Sequence, residues 1–580
     1  MNDTIAIVRT FVDDICHGKV SPSILQKHKI PNDIYSILGG LNQANANKLK
    51  SRIFEHIMWN IGYYESLPKG QDIHDLKHRA LYALEHPEEF SKVREFYLPK
   101  LIEGVNEAIE TIGSISSRTL INCPSISSNE VSLSKEERCF ILSYERDWGS
   151  VNDFSGSMID GTDVIFGDDI YEIAKGGSHL ENYKRTLSSP DEISIGLDSF
   201  YSKHFDTSSP HYFRYITEVP NNTDITRNIG LMPIIVDGQE VFSIEVNMSD
   251  YYLDVYLFNH SSKRYLIVDS SKQFLIEDFQ DTIFSLLVAL GVITCDIYLN
   301  ESWLFAYSDV LHKDRIGLMF RSLSPSIHCD YSIFTTNVYS VLIPIAQKED
   351  PVNGETRAIS IIDNLKLGSA IPQLGFEVFS NLVQNMECHE ALRRGIFEVL
   401  SGTQYHLEIQ PASFSVALES ISSLAKKIIG SSQEYLIDNE KWVKEGGVMA
   451  RFNSLIDELC DKEEITSDEA NKLKKKVNSM NNGFNSDKLR ALLVHYNYPL
   501  CKFDETTLSA RNVFLHGSIH PNGLDKSKTE SNLFQLSMNL HMLCCSIALL
   551  MSGFRGYVIN NRKLYGFDKT CKAFVKLKGI

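Results

Sequence analysis

Several common functional signatures are missing from this 580-residue sequence. It contains neither G-x-x-x-x-G-K-[ST] nor G-x-G-x-x-G, and no G-x-S-x-G, so a nucleotide-binding loop or a hydrolase nucleophile elbow is not indicated. Its eleven cysteines are scattered and are never spaced as C-x-x-C. No uninterrupted apolar run reaches the roughly 18–20 residues that cross a bilayer. The two longest runs, residues 283–295 and 542–551, are therefore expected to be core segments.

The N-terminus also lacks the features of a secretion signal. The segment MNDTIAIVRTFVDDICHG carries acids among its first residues and has no apolar stretch followed by a small-residue cleavage site. We therefore expect a cytoplasmic protein with reduced thiols and no membrane contact. Cys544 and Cys545 lie inside an apolar helical pattern and are predicted to be core residues rather than ligands.

Positive charge is scarce over most of the chain. The sequence has 57 Lys and Arg against 74 Asp and Glu, a net charge of −17. This balance argues against a protein that coats nucleic acid nonspecifically, because phosphate binding depends on Lys and Arg. Residues 501–580, however, hold 11 basic and 5 acidic residues, a net of +6, which leaves 46 basic and 69 acidic residues elsewhere, a net of −23. The net charge of the whole chain is therefore the sum of an acidic part, residues 1–500, and a basic C-terminal end, residues 501–580.

The hydrophobic pattern predicts an α+β chain with several domains. Residues 1–111 are predicted to be helical, and the Ser-rich segment 112–134 is the best candidate for a linker. Residues 135–400 are predicted to form a mixed α+β region, with period-two patterning to about residue 370. Three runs at residues 241–248, 252–257 and 265–268 indicate a β-meander, and residues 279–290 a helix packed on it.

Helical patterning returns after Pro372 and continues almost to the end. The expected helices span residues 374–384, 390–400, 414–429, 448–460, 467–479, 486–496, 505–516 and 530–552. Thr466 is predicted to be an N-cap, with acids in the turn that follows it. Residues 410–580 are accordingly predicted to form an all-α bundle.

The segment with the clearest chemical content is SARNVFLHG, residues 509–517. It places Arg511, Asn512 and His516 near the end of a predicted helix, with Gly517 at the C-cap position. Cleaving RNA without a metal needs a group that takes the proton from a 2′-hydroxyl, which a His of near-neutral pKa can do. It also needs stabilisation of charge on the phosphate, which a permanently charged Arg supplies.

The helical geometry of this segment separates its residues. Asn512 and His516 are four residues apart and share a helix face, whereas Arg511 lies about 140° from His516 around the axis. The Arg511 side chain must therefore reach round the helix, the helix must distort, or the partner His must come from another subunit.

The spacing of Arg and His alone is weak evidence, because Arg79 with His86 and Arg321 with His328 show similar spacing. The segment at 511–516 differs in its Asn directly after Arg, its helical setting, its Gly cap and the basic C-terminus. A structural role is also open, since Arg, Asn and His at a helix end can hydrogen-bond nearby carbonyls.

The RNVFLHG segment, with several helices before it and a long apolar helix after it, resembles a HEPN domain, particularly the ApeA-like branch of bacterial anti-phage defence proteins. The resemblance covers about residues 410–580. It implies a metal-independent endoribonuclease without a cofactor. Arg511 would be the phosphate and transition-state ligand, His516 the general acid/base, and Asn512 the polar residue that positions the phosphate or the His.

The same resemblance implies the partners and the biological setting. It implies RNA of host or phage origin as the target, tRNA included, and a homodimer or higher homo-oligomer with a composite active site. It further implies a toxic effector of abortive infection, with residues 1–400 sensing a phage-derived trigger or restraining the nuclease.

The basic C-terminal end has two interpretations. Residues 554–580 carry seven Lys and Arg against Asp568 alone, interleaved with Phe554, Tyr557, Tyr565, Phe567 and Phe574. Alternating cations and rings suit single-stranded RNA, where cations hold phosphates and rings stack on bases. An ordinary terminal hairpin with a solvated charged face accounts for the pattern equally well.

Metal binding is not expected from the sequence. The segments Cys388-His389 and His328-Cys329-Asp330 offer ligand atoms, but neither has a second pair at zinc spacing. The run Lys474-Lys475-Lys476 is predicted to be a solvent-facing stripe on a helix.

Two alternatives to the ribonuclease hypothesis stay open. The first is a noncatalytic HEPN module that binds RNA, nucleotide or a partner protein. The second makes the middle α+β region the functional centre and the C-terminal bundle only a dimerisation element.

Overall fold

The structure is a computed structural model. It describes residues 104–116, 131–135, 139–145, 163–166, 169–176, 192–221, 223, 234–236, 239–309, 312–334, 338–365, 374–430, 437–481, 485–515, 529–561 and 574–579. Structural statements refer to these residues. The helices predicted before residue 104 lie outside them.

The described chain is mixed α+β, with an antiparallel sheet in its middle and helices in its C-terminal part. It divides into two compact units. Unit 1 takes its described residues from 1–287, 297–327 and 373–384, and unit 2 from 288–296, 328–372 and 385–580.

Unit 1 is built on a 12-stranded sheet. Its strands are β1 Val131–Lys135, β2 Phe140–Glu145, β3 Asp163–Phe166, β4 Asp169–Gly176, β5 Glu192–Ser202, β6 Tyr212–Val219, β7 Ile234–Val236, β8 Gln239–Asn247, β9 Tyr252–His260, β10 Lys263–Ser270, β12 Glu301–Tyr307 and β13 Arg315–Ser322. The order is β1-β2-β5-β13-β12-β6-β10-β9-β8-β7, and the β3–β4 hairpin pairs with β5. Two short strands, β11 Asp296–Ile297 and β14 Ile327–His328, pair with each other.

The predicted β-meander is confirmed by β8, β9 and β10, which pair in sequence order. The β9–β10 turn contains Ser261 and Ser262, which have φ angles of 47° and 68°. Two consecutive residues with positive φ are the hallmark of a two-residue type I′ turn, whose twist matches that of the strands it joins. The turn therefore fixes the register in which His260 faces Lys263.

An aromatic cluster forms the core of unit 1. Phe140 makes edge-to-face contacts with Phe200, Trp303 and Phe320, at ring-centroid distances of 5.5, 6.0 and 4.9 Å. Helix α1, residues 104–116, packs on this cluster through a stripe at three- and four-residue spacing. The stripe consists of Val105, Ala108, Ile109, Ile112 and Ile115.

Unit 1 also buries an ion pair. Arg214 on β6 and Asp269 on β10 are cross-strand partners. The guanidinium donates from Nε and Nη2 to the two carboxylate oxygens, both at 2.7 Å, and the side chains are 1% and 4% exposed. This bidentate geometry offsets the cost of taking both charges out of water.

The remaining elements are mostly helices. They are α2 Ile276–Thr294, α3 Val338–Glu349, α4 Gly354–Leu365, α5 Phe376–Cys388, α6 Glu390–Ser401, α7 Gln410–Ser422, α8 Ala425–Ile429, α9 Asn439–Val443, α10 Val448–Asp461, α11 Ser467–Met480, α12 Asn485–His495, α13 Lys502–Leu515 and α14 Thr529–Met551. The division between the units falls within α2 and α5. The strands β15 Tyr557–Ile559 and β16 Phe574–Lys576 form a final antiparallel pair, so the prediction of an all-α bundle over residues 410–580 is wrong at this end.

The helices predicted after Pro372 are confirmed to within a few residues, with one correction. The helix expected at residues 414–429 is two helices, α7 and α8, which are separated at Ser423 and Leu424. The Ser423 hydroxyl donates to the Ser420 carbonyl at 2.6 Å. A local hydroxyl-to-carbonyl bond of this kind offers the backbone an alternative to the helical ladder.

The prediction that the period-two region extends to about residue 370 was wrong. Residues 338–365, which the sequence assigned to it, form the helices α3 and α4. Pro344 lies inside α3, and an internal Pro normally ends a helix. Further upstream, α1 extends to residue 116 and β1 begins at Val131, so both take residues from the segment predicted to be a linker.

One described helix, α14, is long and apolar enough to cross a membrane. The apolar run predicted in this part of the sequence covered only residues 542–551, because Ser537, Asn539 and His541 interrupt the stretch before it. Averaged over 18 residues, the hydropathy is 1.6, and 89% of that window is buried inside the protein. The predicted core positions Cys544 and Cys545 are confirmed, since both are fully buried.

Two predictions about α11 are also confirmed. Thr466 caps the helix: its hydroxyl accepts from the Glu469 N–H at 3.3 Å, and the Glu469 carboxylate accepts from the Thr466 N–H at 2.8 Å. This reciprocal pair is a capping box. In the lysine run, Lys475 and Lys476 are exposed, and Lys474 pairs with Asp457 of α10.

Candidate functional site

The candidate site lies on α13, the helix that carries Arg511. The helix begins at Lys502, three residues before the predicted start. Asp504 explains the difference, because its carboxylate accepts from the Cys501 N–H at 2.8 Å. This is half of a capping box, and it satisfies a donor that a helix start would otherwise leave unpaired.

Hydroxyl residues in the middle of α13 are accommodated within the helix. Thr506, Thr507 and Ser509 each donate to the carbonyl four residues earlier, at 3.0, 2.9 and 2.8 Å. Thr507 also accepts from the Asn539 amide of α14 at 2.8 Å, and both residues are fully buried. A polar contact thus joins α13 and α14 one turn before Arg511.

The apolar face of α13 fixes the helix in a bundle. Ala510 and Phe514 share a core cluster with Leu533 and Leu536 of α14, and α13 also contacts α7 and α12. Arg490 of α12 forms an ion pair with Glu505. The backbone of α13 is therefore held on several sides.

Arg511 is buried, and its charged end reaches a carboxylate on α7. The Arg511 Nη2 forms an ion pair with Glu419. The Arg511 side chain is only 6% exposed, whereas the Glu419 side chain is 55% exposed. A permanent cation is thus enclosed by the bundle and meets an anion at the surface.

The structure places part of the predicted triad. Arg511 is described fully, and Asn512 lies in the last turn of α13. The side chain of Asn512 and the whole of His516 and Gly517 lie outside the described residues. The proximity of Arg511 and His516 therefore stays a prediction.

The basic C-terminal end forms the terminal hairpin that was one of its two interpretations, as far as the described residues extend. Tyr557 faces Lys576 across β15 and β16, and the Lys576 ammonium lies 5.5 Å from the Tyr557 ring centroid. Phe554 and Phe574 are both 3% exposed. Two of the five rings are therefore core residues and cannot stack on RNA bases, whereas Tyr565 and Phe567 lie outside the described residues.

A second polar cluster lies on α14, around His541. Its Nε2 is 3.4 Å from the Cys329 Sγ and 3.8 Å from the Cys545 Sγ. Burial lowers the pKa of His541 to about 3 and raises that of Cys329 to about 12. The ring is therefore neutral and the thiol protonated, so this cluster holds no thiolate nucleophile.

The weak metal candidates of the sequence can be located as well. His389 lies beside Lys427, at 3.4 Å between Nδ1 and Nζ, and His328 pairs with Asp296 at 2.7 Å. Within the described ranges, no three His, Cys, Asp or Glu side chains are grouped so that they could hold a metal ion.

Glu419, Thr507 and Asn539 are the members of this site that the sequence did not indicate. Glu419 is far from Arg511 in sequence and belongs to no motif. The sequence could have indicated Asn539, because its amide interrupts the apolar pattern of α14.

Searches against protein-family models, curated proteins and solved structures found no match to this chain.

Proposed function

We propose that the chain is a metal-independent endoribonuclease of the HEPN type, with its active site at Arg511, Asn512 and His516. The observation that supports the proposal is the position of Arg511, a cation enclosed by the bundle in the last turns of α13, whose Nη2 meets the exposed carboxylate of Glu419. A guanidinium in this position suits bidentate binding of a phosphate.

The proposed reaction is an intramolecular transfer. His516 takes the proton from the ribose 2′-hydroxyl, and the 2′-oxygen attacks the adjacent phosphorus. The bond to the 5′-oxygen of the next nucleotide breaks, and that oxygen takes a proton from water or from His516 of a second copy. The products are a 2′,3′-cyclic phosphate and a free 5′-hydroxyl.

Arg511 has a separate role in this scheme. Negative charge develops on the non-bridging phosphate oxygens in the transition state, and a cation already held in place stabilises it without having to reorganise. Burial of the Arg511 stem and the hydrogen-bonded neighbours of α13 supply that rigidity. Asn512 follows Arg511 and shares a helix face with position 516, so it is suited to orient the phosphate or the imidazole.

The other parts of the proposal rest on the resemblance. We propose a cytoplasmic toxic effector of anti-phage defence, which acts on host or phage RNA as a homodimer or higher homo-oligomer. Residues 1–400 would sense a phage-derived trigger or restrain the nuclease. Within these residues, the aromatic cluster of the unit 1 sheet and helix α1 form a hydrophobic core.

The test compares the full-length parent with Arg511→Ala, Asn512→Ala and His516→Ala in an RNA cleavage assay that contains EDTA. Matched controls are Arg394→Ala and His406→Ala, which remove the same residue types from exposed positions. We expect cleavage by the parent and both controls, loss in the Arg511 and His516 variants, and cyclic phosphate on the products. Cleavage that stops with EDTA would point to a metal-dependent site instead.

A noncatalytic binding module is the second candidate, and one observation favours it. Arg511 is already paired with Glu419 in the free protein, whereas a cation preorganised for catalysis is open to the charge of the transition state. RNA affinity that survives His516→Ala, with intact RNA recovered from the parent, would support this reading.

A further inference from the structure

The ion pair between Arg511 and Glu419 is asymmetric in a way that bears on substrate binding. Arg511 is anchored, because its side chain is buried in the bundle, and its Nη2 meets the carboxylate. Glu419 lies on the exposed side of α7, and within the described residues its carboxylate has no other ion-pair partner. If the pair opens, the carboxylate is the half that moves, since it can turn into solvent.

A carboxylate and a phosphate compete for the same edge of a guanidinium. Both present two oxygens to the planar N–H fork of Arg, and both carry negative charge. An RNA phosphate cannot occupy the Nη2 edge of Arg511 while Glu419 does. The structure therefore has an internal anion in the place where the proposed substrate must bind.

We propose that Glu419 is a positioning residue of the proposed site, which holds Arg511 extended in the free protein and is displaced when an RNA phosphate binds. The inference rests on the proposed function. Its consequence is a higher KM, because each productive encounter must first break an ion pair. It also favours ligands with several phosphates, whose additional contacts compensate for that displacement.

A simple bracing role makes the opposite prediction. If Glu419 only tied α7 to α13, its neutralisation would loosen the bundle and disorder Arg511, so stability and activity would fall together. Displacement predicts that substrate binding improves even though stability falls, and that the fall is smaller than for a fully buried pair, since Glu419 is exposed to solvent.

The experiment uses the full-length chain and a fluorescently labelled single-stranded RNA at one fixed salt concentration. Glu419→Gln keeps the size of the side chain and removes its charge. Glu408→Gln, an exposed acid just before α7, is the control for net charge. We expect Glu419→Gln to lower KM by about threefold to tenfold with kcat nearly unchanged, and Glu408→Gln to match the parent.

Affinity measured in a His516→Ala background gives a readout that does not depend on turnover. There, Glu419→Gln should tighten RNA binding by the same factor. An unchanged or higher KM, or a loss of activity that parallels a fall in Tm, would overturn the role of Glu419. If Arg511→Ala cleaves RNA as well as the parent does, the proposed function itself fails, whatever Glu419→Gln does.

Discussion

The guanidinium of Arg511 on α13 and the carboxylate of Glu419 on α7 form an ion pair in which the cation is buried and the anion is exposed. The pair joins two helices of unit 2 that are far apart in sequence. Among Arg511, Asn512 and His516, Arg511 is the residue whose side chain the structure describes, and that side chain contacts an acid. Both partners therefore belong to the candidate site.

The packing of α6 against α7 supports this site and can be tested by substitution. A Cβ added at Gly395 of α6 would lie 2.7 Å from the Ile421 Cγ1 and 3.0 Å from the Ala417 carbonyl oxygen, both on α7. Gly395→Ala should therefore push α7, the helix that carries Glu419, and lower the free energy of unfolding by about 1–3 kcal/mol.

A helical glycine with free space around it provides the control. Gly113 lies in α1 with no atom within 4 Å of an added Cβ. Gly113→Ala should raise the free energy of unfolding by about 0.5–1 kcal/mol, because Ala is the better helix former. Calorimetric melting of Gly395→Ala and Gly113→Ala checks these two predictions. Equal changes in unfolding free energy would contradict the close approach of α6 and α7.

Much of the helical layout followed from sequence because α6, α10, α11, α12, α13 and α14 each carry a regular apolar pattern. Local patterning could not give the order of the large sheet, in which β6 lies between β10 and β12 and β5 pairs with β13. Those neighbours are set by long-range pairing. The same holds at the site: Arg511 and Asn512 could be chosen from a local motif, whereas Glu419 could not.

The buried pair Arg214–Asp269 should be essential to unit 1. Asp269→Asn leaves the Arg214 charge without its counter-charge in the core and should cost about 3–5 kcal/mol of unfolding free energy. The double change Arg214→Met with Asp269→Leu removes both charges and should recover most of that loss. Denaturant unfolding of the parent, Asp269→Asn and the double variant measures these differences in unfolding free energy.

An exposed ion pair supplies the comparison. Glu218 pairs with Lys263 at 2.6 Å, and their side chains are 42% and 55% exposed. Glu218→Gln should change stability by less than about 1 kcal/mol. A comparable loss in Asp269→Asn and Glu218→Gln would show that the burial of the Arg214 pair does not matter.

His541 should make unit 2 sensitive to acid. Burial lowers its pKa to about 3, so the unfolded chain binds a proton at this residue at a higher pH than the folded chain does. The contribution of the neutral His541 ring to the free energy of unfolding is fully present above the unfolded pKa of about 6.5. It is lost as the pH falls towards 3. At pH 5 the loss should reach about 2 kcal/mol.

The variant that tests this prediction is His541→Gln, with His406→Gln as an exposed control. The difference in unfolding free energy between pH 7.5 and pH 5 should shrink in the first and stay at the parent's value in the second. His312 in unit 1, whose pKa burial also lowers, should retain part of the acid sensitivity. An unchanged difference in His541→Gln would mean that the ring takes up its proton without unfolding.

Cleavage of RNA by the purified full-length chain in EDTA, with His516→Ala beside the parent, tests the proposed nuclease activity most directly. We expect the parent to produce fragments with 2′,3′-cyclic phosphate ends, and His516→Ala to reduce the rate by at least about a hundredfold. Equal cleavage by both proteins, or products with other ends, would contradict the proposed activity.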